Sequence, residues 1–167
     1  MRKILAPAAA AIALIGAFAA APAAAASTAE TSDSNRSLSS GWLCMDDSSA
    51  QGLRMQECST VRYVNGQQQW EVTLGSGLST AQFRNVATGQ CLDGSVNYGV
   101  RTHSCSTASY NNGYQAWKAV RTNHTLSQFS YQNVATGQCL DYSASRGLRL
   151  HTCSEAAFLN GYQAWGY

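Results

Sequence analysis

Charge is scarce in this 167-residue chain: Asp, Glu, Lys and Arg together make up 12% of it, about half the usual share. Two of its eleven basic residues, Arg2 and Lys3, stand at the extreme N-terminus, and the other nine are balanced by nine acidic ones. A neutral, charge-poor body carries no basic stripe, which argues against nucleic-acid binding. Long apolar runs are missing after residue 26, so no later segment is expected to enter a membrane. Catalytic signatures are missing as well: there is no G-x-S-x-G, no H-E-x-x-H and no P-loop. Asp46 and Asp47 are neighbours, and adjacent residues on a strand point to opposite faces. A glycosidase instead needs two carboxylates facing across a cleft. The chain therefore reads as a non-enzyme without a cofactor. It does not read as disordered, because Trp, Tyr, Leu and Val recur throughout residues 41–167.

The apolar fraction of 45% is inflated by the N-terminus, where 14 of the first 26 residues are alanine. Met1-Arg2-Lys3 is a short positive region, Ile4 to Ala20 is uncharged and apolar, and Ala24-Ala25-Ala26 offers an A-x-A cleavage site before Ser27. Residues 1–26 are thus expected to be a secretory signal peptide, resembling those of high-GC bacteria, and the product to be extracellular. As a membrane anchor the stretch is long enough, but alanine, Pro7, Gly16 and Pro22 make it weakly hydrophobic. Residues 27–40, STAETSDSNRSLSS, hold almost nothing to bury. They read as a flexible linker, with the folded part at 41–167.

All six cysteines lie in that part. Cys44 and Cys58, Cys91 and Cys105, and Cys139 and Cys153 are each 14 residues apart, and successive pairs are offset by 47 and 48. A tryptophan follows each second cysteine by 12 residues, at Trp70, Trp117 and Trp165, always within Gln-x-Trp. The stretches at 85–93 and 133–141 are both NVATGQCLD, and NGYQAW occurs at 112–117 and 160–165. Three copies of one unit make one architecture. Six cysteines allow 15 pairings. The repeat selects the one that treats every copy alike, Cys44–Cys58, Cys91–Cys105 and Cys139–Cys153. Each bond would close a loop of about 15 residues, worth roughly 3 kcal/mol in the chain-entropy model. Spacing of 14 without His-x₃-His or C-x₂-C partners argues against zinc. Alternating stretches such as Gly99–His103 and Gly147–His151, turns at Thr88-Gly89 and Thr136-Gly137, and no helical periodicity indicate an all-β fold.

Three copies of Cys-[Leu/Met]-Asp … Cys … Gln-x-Trp resemble the ricin-type, or QxW, β-trefoil lectins. The resemblance implies a β-trefoil of repeats at about 41–82, 83–130 and 131–167, with a shallow glycan pocket in each. It implies core positions for the three tryptophans. It makes the Asp two residues after the first cysteine the main sugar ligand: Asp93, Asp141 and, in the weaker first repeat, Asp46. An ionised carboxylate accepts strong bonds from vicinal hydroxyls, although Asp also caps turns. Two residues before the second cysteine, where the family often has a ring stacked on the sugar, stand Gln56, His103 and His151. The two histidines are candidates for stacking, with plain surface residues or a weak Asp–His metal site as alternatives. Gln115 and Gln163 of the QxW motif are further pocket candidates.

Two positions depart from the family. Four residues before the second cysteine stand Arg54, Arg101 and Arg149, which either pair with the Asp or offer a donor fork to an acidic sugar. Before the QxW Gln stand Gln67, Tyr114 and Tyr162 in place of an Asn ligand, which puts plant-toxin galactose specificity in doubt. Repeat one lacks NVATGQ and has Ser39-Ser40-Gly41-Trp42-Leu43 there. Its first strand is expected to be short or missing, leaving an edge that a strand from another secreted protein could complete. The expected partners are therefore glycans, with a subunit of a secreted complex such as a toxin particle as the rival. A protease inhibitor is a third class, against which the QxW repeats argue.

Overall fold

Trp70, Trp117 and Trp165 are completely buried. Each indole N–H donates to the backbone carbonyl of the residue after its repeat's first cysteine. Trp70 bonds Met45 at 3.0 Å, Trp117 bonds Leu92 at 3.0 Å and Trp165 bonds Leu140 at 2.9 Å. A buried indole needs such a partner, so the same bond fixes the same geometry three times. The computed structural model describes residues 31–36, 38–75 and 79–166; the expected signal peptide at 1–26 lies outside them.

One strand, β1 (Thr31–Arg36), precedes three units of four. The first unit is β2 (Ser39–Ser40), β3 (Leu43–Asp46), β4 (Arg54–Glu57) and β5 (Trp70–Leu74). The second is β6 (Ala81–Asn85), β7 (Gln90–Ser95), β8 (Gly99–Ser104) and β9 (Trp117–Asn123). The third is β10 (Gln128–Asn133), β11 (Cys139–Ser143), β12 (Gly147–His151) and β13 (Trp165–Gly166). The inner strands of each unit form a hairpin: β3 with β4, β7 with β8, β11 with β12. The outer strands pair in a ring in the order β1, β5, β6, β9, β10, β13, β2. β1 and β2, at the two ends of this order, follow one another closely in the chain. This is a β-trefoil, a barrel capped by three hairpins. Its core holds the three tryptophans with Leu38, Met45, Phe83, Leu92, Tyr131 and Leu140. Phe83 and Tyr131 meet edge-on at 4.9 Å.

The linker expected through residue 40 is a correction, because strands stand at 31–36 and 39–40. Arg36 is opposite Trp70, as Ala81 is opposite Trp117 and Phe129 opposite Trp165. Counting two residues on, Leu38 occupies the place of Phe83 and Tyr131, and it is fully buried. Repeat one therefore begins at about residue 36 rather than 41. The open edge is a second correction. Ser39 pairs with both Gly166 and Cys44, and Ser40 with Leu43. Among the described residues, Ser39 is paired on both sides, so the edge is not open there.

The disulfides are Cys44–Cys58, Cys91–Cys105 and Cys139–Cys153. Between each second cysteine and its tryptophan lies a five-residue helix: α1 (Thr60–Val64), α2 (Thr107–Asn111) and α3 (Glu155–Leu159). Ser106 and Ser154 cap α2 and α3 by accepting from Ser109 N and Ala157 N. One turn and a half is too short for its periodicity to show in the sequence. Among the described residues no helix is long and apolar enough to cross a membrane.

The repeats are sewn together where each helix turn meets the next repeat. Gly113 has φ +85°, and a Cβ there would stand 2.7 Å from Ala135 N. Asn133 Nδ2 donates to the carbonyls of Gly113 and Tyr114. At the junction of repeat three with repeat one, Ser40 Oγ donates to Gly161 O at 3.1 Å instead.

Candidate functional site

Each hairpin sets an Asp directly opposite an Arg: Asp46 and Arg54, Asp93 and Arg101, Asp141 and Arg149. Opposite residues of an antiparallel pair share a face, and here the charges meet. Arg54 Nη2 lies 2.7 Å from Asp46 Oδ1, a contact without hydrogen-bond alignment. Arg101 Nε donates to Asp93 Oδ1 at 3.1 Å and Arg149 Nε to Asp141 Oδ1 at 2.8 Å. All three carboxylates are buried, whereas the guanidiniums of Arg101 and Arg149 are partly exposed. The acid thus sits inside and holds the base, and the base is the outer member of the pair.

The QxW loop reaches the same place through the backbone. Asp47 N donates to Gln67 O, Gly94 N to Tyr114 O and Tyr142 N to Tyr162 O, each at 2.9 Å. Tyr114 and Tyr162 are exposed, and their backbone carbonyls are bonded to the residue that follows each Asp. The structure therefore brings together Asp93, Arg101 and Tyr114, and likewise Asp141, Arg149 and Tyr162. Gln115 and Gln163 are bonded into the scaffold. Both are fully buried. Gln115 Nε2 donates to Ser104 O while its Oε1 accepts from Ser106 N. Gln163 Nε2 donates to Thr152 O and Asp141 Oδ2 while its Oε1 accepts from Ser154 N. Gln68 does the same in repeat one. His103 and His151 are exposed, opposite Cys91 and Cys139. They share the face of Arg101 and Arg149, one pleat further along. Among the described residues no three of His, Cys, Asp and Glu are grouped to hold a metal.

Three features escape sequence reasoning. Arg62 on α1 donates to Asp46 Oδ2 at 3.3 Å, a second cation on one carboxylate. Tyr98, in the β7–β8 turn, stacks against the Arg101 guanidinium at 4.3 Å. Buried Asp47 accepts from Thr88 Oγ1 and Thr102 Oγ1, tying repeat one to repeat two. Only Tyr98, three residues before Arg101, carried a local clue. Repeat one, the least regular copy in sequence, holds a cavity of about 480 Å³ lined by Ser48, Gln51, Arg54, Ser59, Arg62 and Gln67 among others.

The model of the ricin-type beta-trefoil lectin domain-like family matches residues 66–152, more than half of the chain. The chain belongs to that family. No curated protein matches it in sequence. Among solved structures, a chain of the cytolethal distending toxin of Actinobacillus actinomycetemcomitans superposes with a TM-score of 0.61 at 16% identity, over 79% of this chain and 88% of that one. The designed threefold-symmetric protein ThreeFoil gives 0.59 at 16% identity, over 78% and 94%. A Polyporus squamosus lectin, bound to the epitope Neu5Acα2-6Galβ1-4GlcNAc, gives 0.57 at 13% identity, over 77% and 46%. At these identities the likeness is one of fold.

Proposed function

We propose that this member of the ricin-type family is an exported, non-catalytic lectin that binds cell-surface or cell-wall glycans at its hairpin pockets. One observation carries the reading: in repeats two and three the strand with the Arg-holding Asp is bonded through the backbone to a loop that presents an exposed tyrosine. A guanidinium held by a buried carboxylate keeps free N–H donors for sugar oxygens. Tyr114 and Tyr162 offer a flat face to the sugar's C–H side, with His103 and His151 at the outer end of the same strands. Asp93 and Asp141 take part chiefly by orienting the arginines. Three disulfides and the N-terminal segment support an extracellular setting.

A glycan array with the oxidised protein tests this beside Tyr114→Ala and Tyr162→Ala. A sugar-specific signal, reduced in either variant at unchanged thermal stability, is the expected result. A folded parent that lights no glycan sinks the proposal. A second reading, a targeting subunit that docks another secreted protein, draws on Trp42, which is 91% exposed. Retention of a secreted partner by the parent, lost in Trp42→Ser, would favour it.

A further inference from the structure

We propose that the repeat-one pocket selects acidic saccharides, taking their carboxylate or sulfate on Arg62 and Arg54. The proposal rests on the carbohydrate-binding reading above and names the ligand class of one pocket.

The argument is one of charge count. In repeats two and three, one guanidinium meets one carboxylate. In repeat one, Asp46 meets two, Arg54 and Arg62. The lining of the 480 Å³ cavity contains both arginines and no acidic residue. Asp46 itself is fully buried. Asp46 thus meets one cation more than Asp93 or Asp141 does, while its buried neighbour Asp47 is turned to Thr88 and Thr102, and Arg62 faces a concave, hydroxyl-bearing surface.

Acceptors are short there as well. Arg54 Nε and Nη1 are buried without a hydrogen-bond partner and out of a ligand's reach, so Arg54 acts there by its charge. Arg62 keeps 36% of its side chain exposed and spends one nitrogen on Asp46. A guanidinium has five N–H donors, and a carboxylate or sulfate is the group whose oxygens match that fork. A neutral sugar hydroxyl supplies one weaker acceptor. Ser59 adds to the asymmetry. Ser106 and Ser154 spend their hydroxyls capping α2 and α3, whereas Ser59 makes no such bond and lines the cavity. A cation and hydroxyl groups together suit a ligand that is both anionic and a sugar.

The test is an NMR titration of the oxidised protein with three galactose-type oligosaccharides of matched length. One is an oligogalacturonate bearing carboxylates, one a carrageenan fragment bearing sulfates, and one a neutral galactan. The expected result is that at least one acidic ligand binds about tenfold tighter than the neutral one, with amide shifts centred on residues 48–51 and 62. Arg62→Gln should remove that preference, and Arg62→Lys should retain part of it. The two acidic arms tell which anionic group fits. Equal binding of acidic and neutral ligands, or an Arg62→Gln variant that keeps the preference, overturns the proposal. Silence from all three, while the glycan array finds neutral ligands, overturns this proposal alone. Silence on the array as well overturns the lectin reading with it.

Discussion

Asp141 accepts from Arg149 Nε at 2.8 Å and from Gln163 Nε2 at 3.2 Å, with its side chain 2% exposed. Replacing it with Ala would leave a partly exposed guanidinium and a buried amide N–H without their acceptor. An orphaned buried donor costs about 1–3 kcal/mol, and Asp141→Ala is expected in that range by urea denaturation. Tyr162 is exposed and only its backbone is bonded into the fold, so Tyr162→Ala should shift stability by less than about 0.5 kcal/mol. A loss of glycan binding in Tyr162→Ala is thus a statement about the pocket, whereas the same loss in Asp141→Ala mixes pocket and scaffold. The sequence left two readings open for each Arg, pairing with the Asp or offering donors to a ligand, and the hairpin register that sets the two residues opposite each other decides for the pairing. The contact of Arg62 was not legible, because Arg62 lies on a short helix that folds back onto Asp46 from 16 residues away.

The segment before β3 shows the limit of local reading at the level of elements. Leu38 is flanked by serines in a polar run, and an outward-facing strand needs few apolar residues to bury one face. The chain from Ser40 to Cys44 is also two residues shorter than from Asn85 to Cys91, which hides the register. Leu38→Ala should cost about 2–5 kcal/mol, as for other buried leucines; denaturation within experimental error of the parent would mean that the strand is not part of the core. The junctions between repeats make a matched comparison. Gly113 and Gly161 have φ of +85° and +83°, but a Cβ at Gly161 meets nothing within 4 Å. Ala at either position incurs the left-handed backbone cost of about 1–2 kcal/mol. Gly113→Ala also drives a methyl onto Ala135 N, so it should be clearly the more destabilising of the two. Equal effects in thermal melts would count against the looser packing at the repeat-three to repeat-one junction.

Across the whole molecule, threefold repetition makes the disulfides and the pockets act in sets. The fold and the cysteine pairing were legible because repeat spacing is a global pattern that no single residue obscures. Each disulfide closes a 14-residue separation, and loops of this size contribute about 3 kcal/mol apiece in the chain-entropy model. Three together rival the whole stability of an ordinary domain, about 5–15 kcal/mol. Reduction under native conditions should therefore lower the melting temperature steeply or unfold the chain, with circular dichroism as the readout. The pockets multiply in the same way. If the repeats bind glycans as proposed, they do so on one fold, and a glycan surface dense enough to engage two of them would raise apparent affinity by about 10²–10⁴ over a single contact. Interferometry on densely and sparsely coated glycan surfaces should show that gain for the parent. Combining Tyr114→Ala with Tyr162→Ala should abolish the density dependence while leaving repeat one to bind acidic ligands singly. If the parent binds both coatings with the same apparent Kd, the pockets do not act together, and one repeat alone accounts for recognition.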